Sequence, residues 1–372
     1  MSKDVKYFPG LDGLRFIGAF AVILSHIEFL KSLYGFENLM KYGFYQKTNG
    51  HLGVILFFVI SGYLITYLLL KEYNTNKTIN IKHFYLRRVL RIWPLYYLMV
   101  IISVFLVPYF FDKVGFRYNS FEFKETIYYF LFLPNVAKSL MFSIDGIVHL
   151  WSVGIEEQFY LIWPWVVLLF RKNLKIILSI IFIGISLLPF LISYIHSHGI
   201  MLEDDSLYKI LLSNAYQLKI NSMAIGGLFS YLYFNNSTLL KVFYKFKLEL
   251  ILIPLTFLFW ISGITFGPFS DEIYSTLFAI IILIVSTKTN SLIKLNSRIS
   301  MFLGQISYGL YVYHWLIIIL VLNFVKKFMN DFSVFNQNMI IYFFTITITI
   351  LISHFSYKYF ESFFLKFKTK FY

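Results

Sequence analysis

The sequence predicts an all-α, polytopic integral membrane protein of about ten transmembrane helices with both termini in the cytoplasm. Three observations predict it. Composition is the first: of 372 residues, 58% are hydrophobic and 14% charged, and mean hydropathy is +0.69. Soluble domains run nearer ~45–50% apolar and ~25% charged. Apolar runs are the second, each close to the ~20 residues a helix needs to cross a bilayer. The third is charge asymmetry, because Lys and Arg fall in short loops and are about twice as frequent on one side as on the other. A net charge of +14 would suit nucleic acid, but no basic folded segment is present to hold one. The charge is read instead as topology and attraction to anionic membrane lipids. Without cysteine, the chain has no disulfides, thiolate metal sites or cysteine nucleophile.

In order, the expected spans are 11–30, 52–70, 92–110, 152–170, 175–195, 209–234, 248–267, 273–287, 299–324 and 338–360. Arg15 and the lack of a small-residue cleavage site argue against a separate signal peptide. Lys3, Lys6, Arg87, Arg88, Arg91, Arg171, Lys245, Arg298 and Lys368 fall on the cytoplasmic side in this scheme. Lys31, Lys41, Lys47, Arg117 and Lys209 fall outside. The segment 111–150 holds amphipathic runs such as ETIYYFLFLPN, which suit an interfacial or re-entrant position. No internal repeat or soluble domain is visible, so residues 1–372 read as one membrane domain.

The first span organises the polar residues. Arg15 and His26 are eleven residues apart, about 16 Å along a helix. With Arg15 at one water interface, His26 lies deep in the hydrocarbon, with Glu28 just beyond it. A buried histidine there serves either a helix–helix hydrogen bond or chemistry. Arg88 and Arg91 share a helical face on the cytoplasmic side, either as an ordinary positive flank or as a phosphate grip. Ser61 and Gly62 read as packing residues. His51, and the phrase HLWSVGIEEQFYLIWPW with His149, Trp151, Ser152, Glu156 and Glu157, lie toward the outer side. One glutamate could cap the helix, but neighbours at i and i+1 point different ways, so two need another reason. His314 is sixteen residues past Arg298, about 24 Å, which puts it in the layer of His26. An imidazole near a carboxylate is equipped for general base chemistry. With cations on one side and a base at depth, the pattern fits a long phosphorylated carrier of an acyl group.

The phrases LDGLRFIGAFAVILSHI, HLGVILFFVISGYLIT, FYLRRVLRIWPLYY, HLWSVGIEEQFYLIWP, ISYGLYVYHW and SHFSYKYFESFF occur in this order. Together they resemble membrane acyltransferase family three, the bacterial envelope O-acyltransferases. That resemblance implies O-acyl transfer in the bacterial inner membrane, commonly from acetyl-CoA; separately, the eight scattered histidines suggest no metal site. The acceptor implied is a sugar hydroxyl of an envelope glycan such as capsule or lipopolysaccharide, or of its lipid-linked precursor. By position it implies His26 as catalytic base or acyl carrier, and Glu156 as the main glutamate of the fourth motif with Glu157 next to it, both catalytic. Arg15, Arg88 and Arg91 would hold the CoA phosphates, and His51, Trp151, Ser152 and His314 would contact substrate.

Two departures from the family pattern stand out. Its sixth-span arginine and acid are replaced by Lys219 and Asn221, and Lys219 then needs an acidic partner elsewhere. An SGNH-type domain, appended in some relatives, is missing, which favours capsule or lipopolysaccharide sugar over peptidoglycan. Transfer of succinyl or another acyl group, or to a small-molecule acceptor, fits the same motifs. A flippase for lipid-linked sugar is the competing class, and it lacks the repeats such transporters carry. His196 and His198, with Glu203, Asp204 and Asp205, read as solvated loop polarity rather than a metal site.

Overall fold

The computed structural model describes residues 8–39, 48–200, 204–288, 291 and 293–371. Lys3, Lys6, Lys41, Lys47 and Glu203 lie outside them. Helices make up the architecture, with no strand among the described residues. Among the described residues, seven stretches are long and apolar enough to cross a membrane: 11–34, 49–76, 81–114, 148–197, 267–287, 307–328 and 334–371.

Helix α1 (Leu11–Tyr34) ends at Gly35, whose left-handed backbone (φ 78°) lets its N–H cap the helix on Lys31 and Ser32. Its 24 residues span about 36 Å, enough for a full crossing. Helix α2 (Thr48–Asn76) packs antiparallel to it, bringing Gly53 against Gly18 and Gly50 against Ser25. Helix α3 (Ile81–Ile101) continues through a π turn (Ile102–Leu106) into α4 (Val107–Val114). Between them and the next crossing, α5 (Thr126–Phe130) and α6 (Pro134–Ser139) fold the 111–150 segment onto the bundle. The hydroxyls of Tyr96 and Tyr97 donate to the carbonyls of Tyr129 and Phe130 at 2.7 and 3.0 Å.

The apolar stretch 148–197 is two helices, α7 (Trp151–Phe170) and α8 (Leu174–Ser197), joined by a 3-10 turn. Ile176, Ile180, Ile183 and Leu187 on α8 are exposed at helical spacing, a stripe suited to lipid. Where the sequence suggests one span over 209–234, the chain forms α9 (Asp205–Gln217) and α10 (Ile220–Phe234). Polar backbone freed at Leu218–Lys219 is tolerable at depth only when enclosed by protein. Enclosure comes from Gln217, which donates to Ser139 Oγ at 2.7 Å, and from Lys219, which pairs with Asp271 at 2.7 Å. Helix α10 presses on α2 so closely that a Cβ on Gly62 would overlap the Met223 carbonyl, and one on Gly226 the Val59 carbonyl. Small residues permit such approach where apolar attraction between helices is weak.

Helices α11 (Phe246–Ile261) and α12 (Ser270–Thr287) follow. The expected 299–324 span begins as the short α13 (Arg298–Gln305), which breaks at Ile306 before α14 (Ser307–Phe328). Helix α15 (Val334–Phe355) passes through a π segment (Ser356–Glu361) into α16 (Ser362–Lys368), which lies against α3.

Candidate active site

Six helices that are remote in sequence converge on one cavity of about 340 Å3. Its wall includes Arg15 of α1, Ser61 of α2, Arg88 and Arg91 of α3, and Ser152, Glu156 and Tyr160 of α7. Asp12 of α1, Ser307, Tyr308 and Tyr311 of α14 and Lys368 of α16 add to its polar lining. Arg15, Arg88 and Arg91, expected together at a phosphate grip, do meet here. Arg15 is held by Asp12 at 3.0 Å, and the Arg88 guanidinium lies over the rings of Tyr160 and Phe84 at 5.5 and 5.7 Å. Arg91 forms no ion pair or hydrogen bond with another described residue. Arg87, their neighbour, is occupied elsewhere, bonding Glu72 at 3.1 Å and the Phe371 carbonyl at 2.6 Å.

The two adjacent glutamates separate as helix geometry requires. Glu156 faces the cavity, and its Oε1 accepts from both the Ser61 and Tyr160 hydroxyls. Ser61 therefore holds a carboxylate rather than serving only as packing. Glu157 points toward α3, where its Oε2 accepts from Trp93 Nε1 at 3.0 Å.

Next to the cavity lies a cluster of three histidines and Trp315. His26 Nδ1 and His314 Nε2 are 2.8 Å apart, with the rings inclined by only 4°. His26 and His314, expected in one layer, are in direct contact, although the count from Arg298 to His314 crosses the α13–α14 break at Ile306. The proton positions follow from what lies beyond. His314 Nδ1 is 3.2 Å from the Leu310 carbonyl, which only accepts, so this nitrogen carries the proton. Its Nε2 then has the lone pair in the neutral ring, and His26 Nδ1 donates to it. His26 is left with an unprotonated Nε2, on a half-buried side chain. The partner of His26 is an imidazole, and among the described residues no carboxylate bonds it.

His149 is 2% exposed. Its ring lies parallel to Trp315 at 5.5 Å and edge-on to His314 at 4.7 Å. Rings of His26 on α1 and of Tyr311, His314 and Trp315 on α14 cover it. Tyr311 connects this cluster with the cavity. Its hydroxyl donates to the His149 carbonyl at 2.7 Å and accepts from Ser152 Oγ at 2.6 Å, and its ring is 5.7 Å from His314.

The remaining candidates lie elsewhere. Trp151 takes Lys138 over its face at 4.0 Å. His51 Nε2 meets Asp271 at 2.9 Å, and the same carboxylate oxygen takes Lys219 at 2.7 Å. The acid that position 221 lacks is therefore supplied by α12. Asn221 donates to Glu272 at 2.9 Å. Glu28 pairs with Lys31 at 2.6 Å, both 1% exposed, and serves α1 rather than the cavity. Asp204 caps α9 through Ser206 N at 2.7 Å, and His196 stacks on Tyr208 at 3.8 Å. Among the described residues no group of three or more metal-binding side chains assembles.

The fold and cavity define a helical membrane protein whose cationic pocket adjoins a histidine pair. An acyltransferase-domain family model matches residues 8–357, and the chain belongs to this family, acyltransferase family three. Among curated relatives, peptidoglycan O-acetyltransferase OatA of Listeria monocytogenes is 36% identical over 192 residues, covering 49% of this chain and 28% of its own. A Staphylococcus aureus (strain COL) relative is 30% identical over 98% of this chain and 58% of its own length. O-acetyltransferase OatA of S. aureus strain NCTC 8325 is 27% identical over 96% and 57%. The chain thus spans less than two-thirds of the length of these relatives. No solved structure matches.

Proposed function

We propose that this protein is an O-acetyltransferase that moves an acetyl group from acetyl-CoA to a sugar hydroxyl of a cell-surface polysaccharide or its lipid-linked precursor. One observation carries the reading: a pocket rich in cations adjoins a hydrogen-bonded histidine pair whose proton order leaves His26 Nε2 as a base.

Arg88, Arg91 and Lys368, with Arg15, would hold the CoA phosphates, since guanidinium forks match phosphate oxygens. The pantetheine arm then runs along the apolar wall of α2, which includes Phe57, Ile60 and Leu64. The thioester arrives at Ser152 and Tyr311. His26 Nε2 takes the proton of the sugar hydroxyl as its oxygen attacks the thioester carbonyl. The tetrahedral adduct collapses, expelling the CoA thiolate, which recovers a proton from the imidazolium. His314 holds the base in the productive tautomer throughout. Tyr311 stands between thioester and base, so transfer requires its ring to move aside.

Placement in the bacterial inner membrane follows from a cytoplasmic acetyl-CoA supply. The name of the Listeria relative makes peptidoglycan an acceptor to test beside capsule and lipopolysaccharide. The test compares glycan O-acetyl content by NMR in a deletion strain complemented with wild type, His26→Ala or Arg88→Ala/Arg91→Ala. Restoration by wild type alone supports the reading. Unchanged O-acetyl with reduced total glycan overturns it in favour of transport.

A further inference from the structure

A second chamber of about 530 Å3 adjoins the first, and the two share Asp12, Arg15, Arg91 and Tyr308 as a common wall. Residues of three further segments line it: Arg298, Phe302 and Gln305 of α13, Tyr357 and Glu361 of the π segment, and Leu365 of α16. We propose that this chamber takes the adenosine 3′-phosphate end of CoA, with Arg298 on the 3′-phosphate. This rests on acetyl-CoA being the donor.

The chemistry of the lining matches that moiety. Phe302 is 37% exposed, leaving an aromatic face for a purine beside Tyr357, whose hydroxyl is fixed by Gln305 Nε2 at 2.7 Å. Glu361 and Asp12 offer acceptors for an exocyclic amine, and the Glu361 carboxylate is steadied by Ser356 Oγ at 3.2 Å. Arg298 forms no ion pair or hydrogen bond with another described residue, leaving its guanidinium available for a phosphate.

Charge distribution supports the same division. CoA carries a diphosphate and a separate phosphate monoester, the latter bearing about −1.5 to −2 at neutral pH. Asp12 already offsets part of the charge on Arg15, so Arg88, Arg91 and Lys368 suit the diphosphate in the first chamber. The monoester then needs a further cation on the far side of Arg91, which is where Arg298 stands. Close packing keeps that wall in place, since a Cβ on Gly304 would overlap the Asp12 carbonyl.

The test titrates CoA and 3′-dephospho-CoA against the full chain in phosphatidylcholine nanodiscs, where no anionic lipid competes. Wild type should bind CoA about tenfold or more tighter than 3′-dephospho-CoA, by the order of one charge-assisted contact. Arg298→Ala should bind both equally, at the wild-type affinity for 3′-dephospho-CoA. Arg88→Ala should weaken both to the same extent and keep the preference. Discrimination that survives in Arg298→Ala, or is absent in wild type, overturns the assignment while leaving the donor intact. Wild type that binds neither nucleotide overturns the donor reading as well.

Discussion

The hydrogen bond between His26 and His314 can be tested by removing its acceptor. In His314→Leu, His26 Nδ1 loses the partner 2.8 Å away that keeps its proton on that nitrogen. The ring is then free to adopt the other tautomer, in which Nε2 carries the proton and cannot act as base. A typical net hydrogen bond is worth about 1 kcal/mol, or about fivefold in rate. Leaving a buried N–H unpaired raises the cost toward ~3 kcal/mol, about a hundredfold. The expected fall in kcat lies between these limits, below the ~10²–10⁴ expected for removing the base itself. His314→Gln should recover much of it, because an amide oxygen can still accept. KM for acetyl-CoA should stay constant, since His314 does not line the cavity. The assay follows CoA release in nanodiscs, alongside nitrogen-15 spectra of the His26 tautomer. Wild-type kcat in His314→Leu would refute the relay. A raised KM with unchanged kcat would return His314 to the substrate contact expected from sequence.

Other expectations concern the wall and the frame. Arg88→Ala should raise KM for acetyl-CoA about tenfold or more, read from initial rates, because it removes a charged contact to phosphate. Lys219→Met should lower the melting temperature markedly, as it leaves Asp271 with His51 alone; breaking a buried pair costs about 3–5 kcal/mol. Gly226→Val should abolish accumulation of folded protein, measured by size exclusion in detergent, because its side chain would enter the α2 backbone. Ser61→Ala should lower kcat by about fivefold, with the fold retained, since Glu156 keeps the Tyr160 hydroxyl.

Counting rise from Arg15 to His26 works because α1 is one continuous helix, whereas the count from Arg298 to His314 crosses the break at Ile306. Arg88 and Arg91 are legible from their shared face. Lys368 is not, because its place depends on α16 returning to α3, and in sequence it is one lysine of a basic tail. Ser61 and Tyr311 hide for another reason: small hydroxyls and tyrosines are common packing residues, and only tertiary contacts reveal what their oxygens bond. The break at Leu218–Lys219 is equally hidden, since hydropathy is nearly blind to a two-residue interruption. Burial of His149 follows from Trp315 and Tyr311 on α14, partners over 150 residues away.

The most direct measurement follows radiolabelled acetyl from acetyl-CoA to a purified envelope glycan with the full chain in nanodiscs, comparing wild type with His26→Ala. The account predicts ester-linked acetyl on the glycan, removable by mild alkali, with wild type only. It also predicts that His26→Ala still binds CoA. Equal transfer by His26→Ala would contradict it.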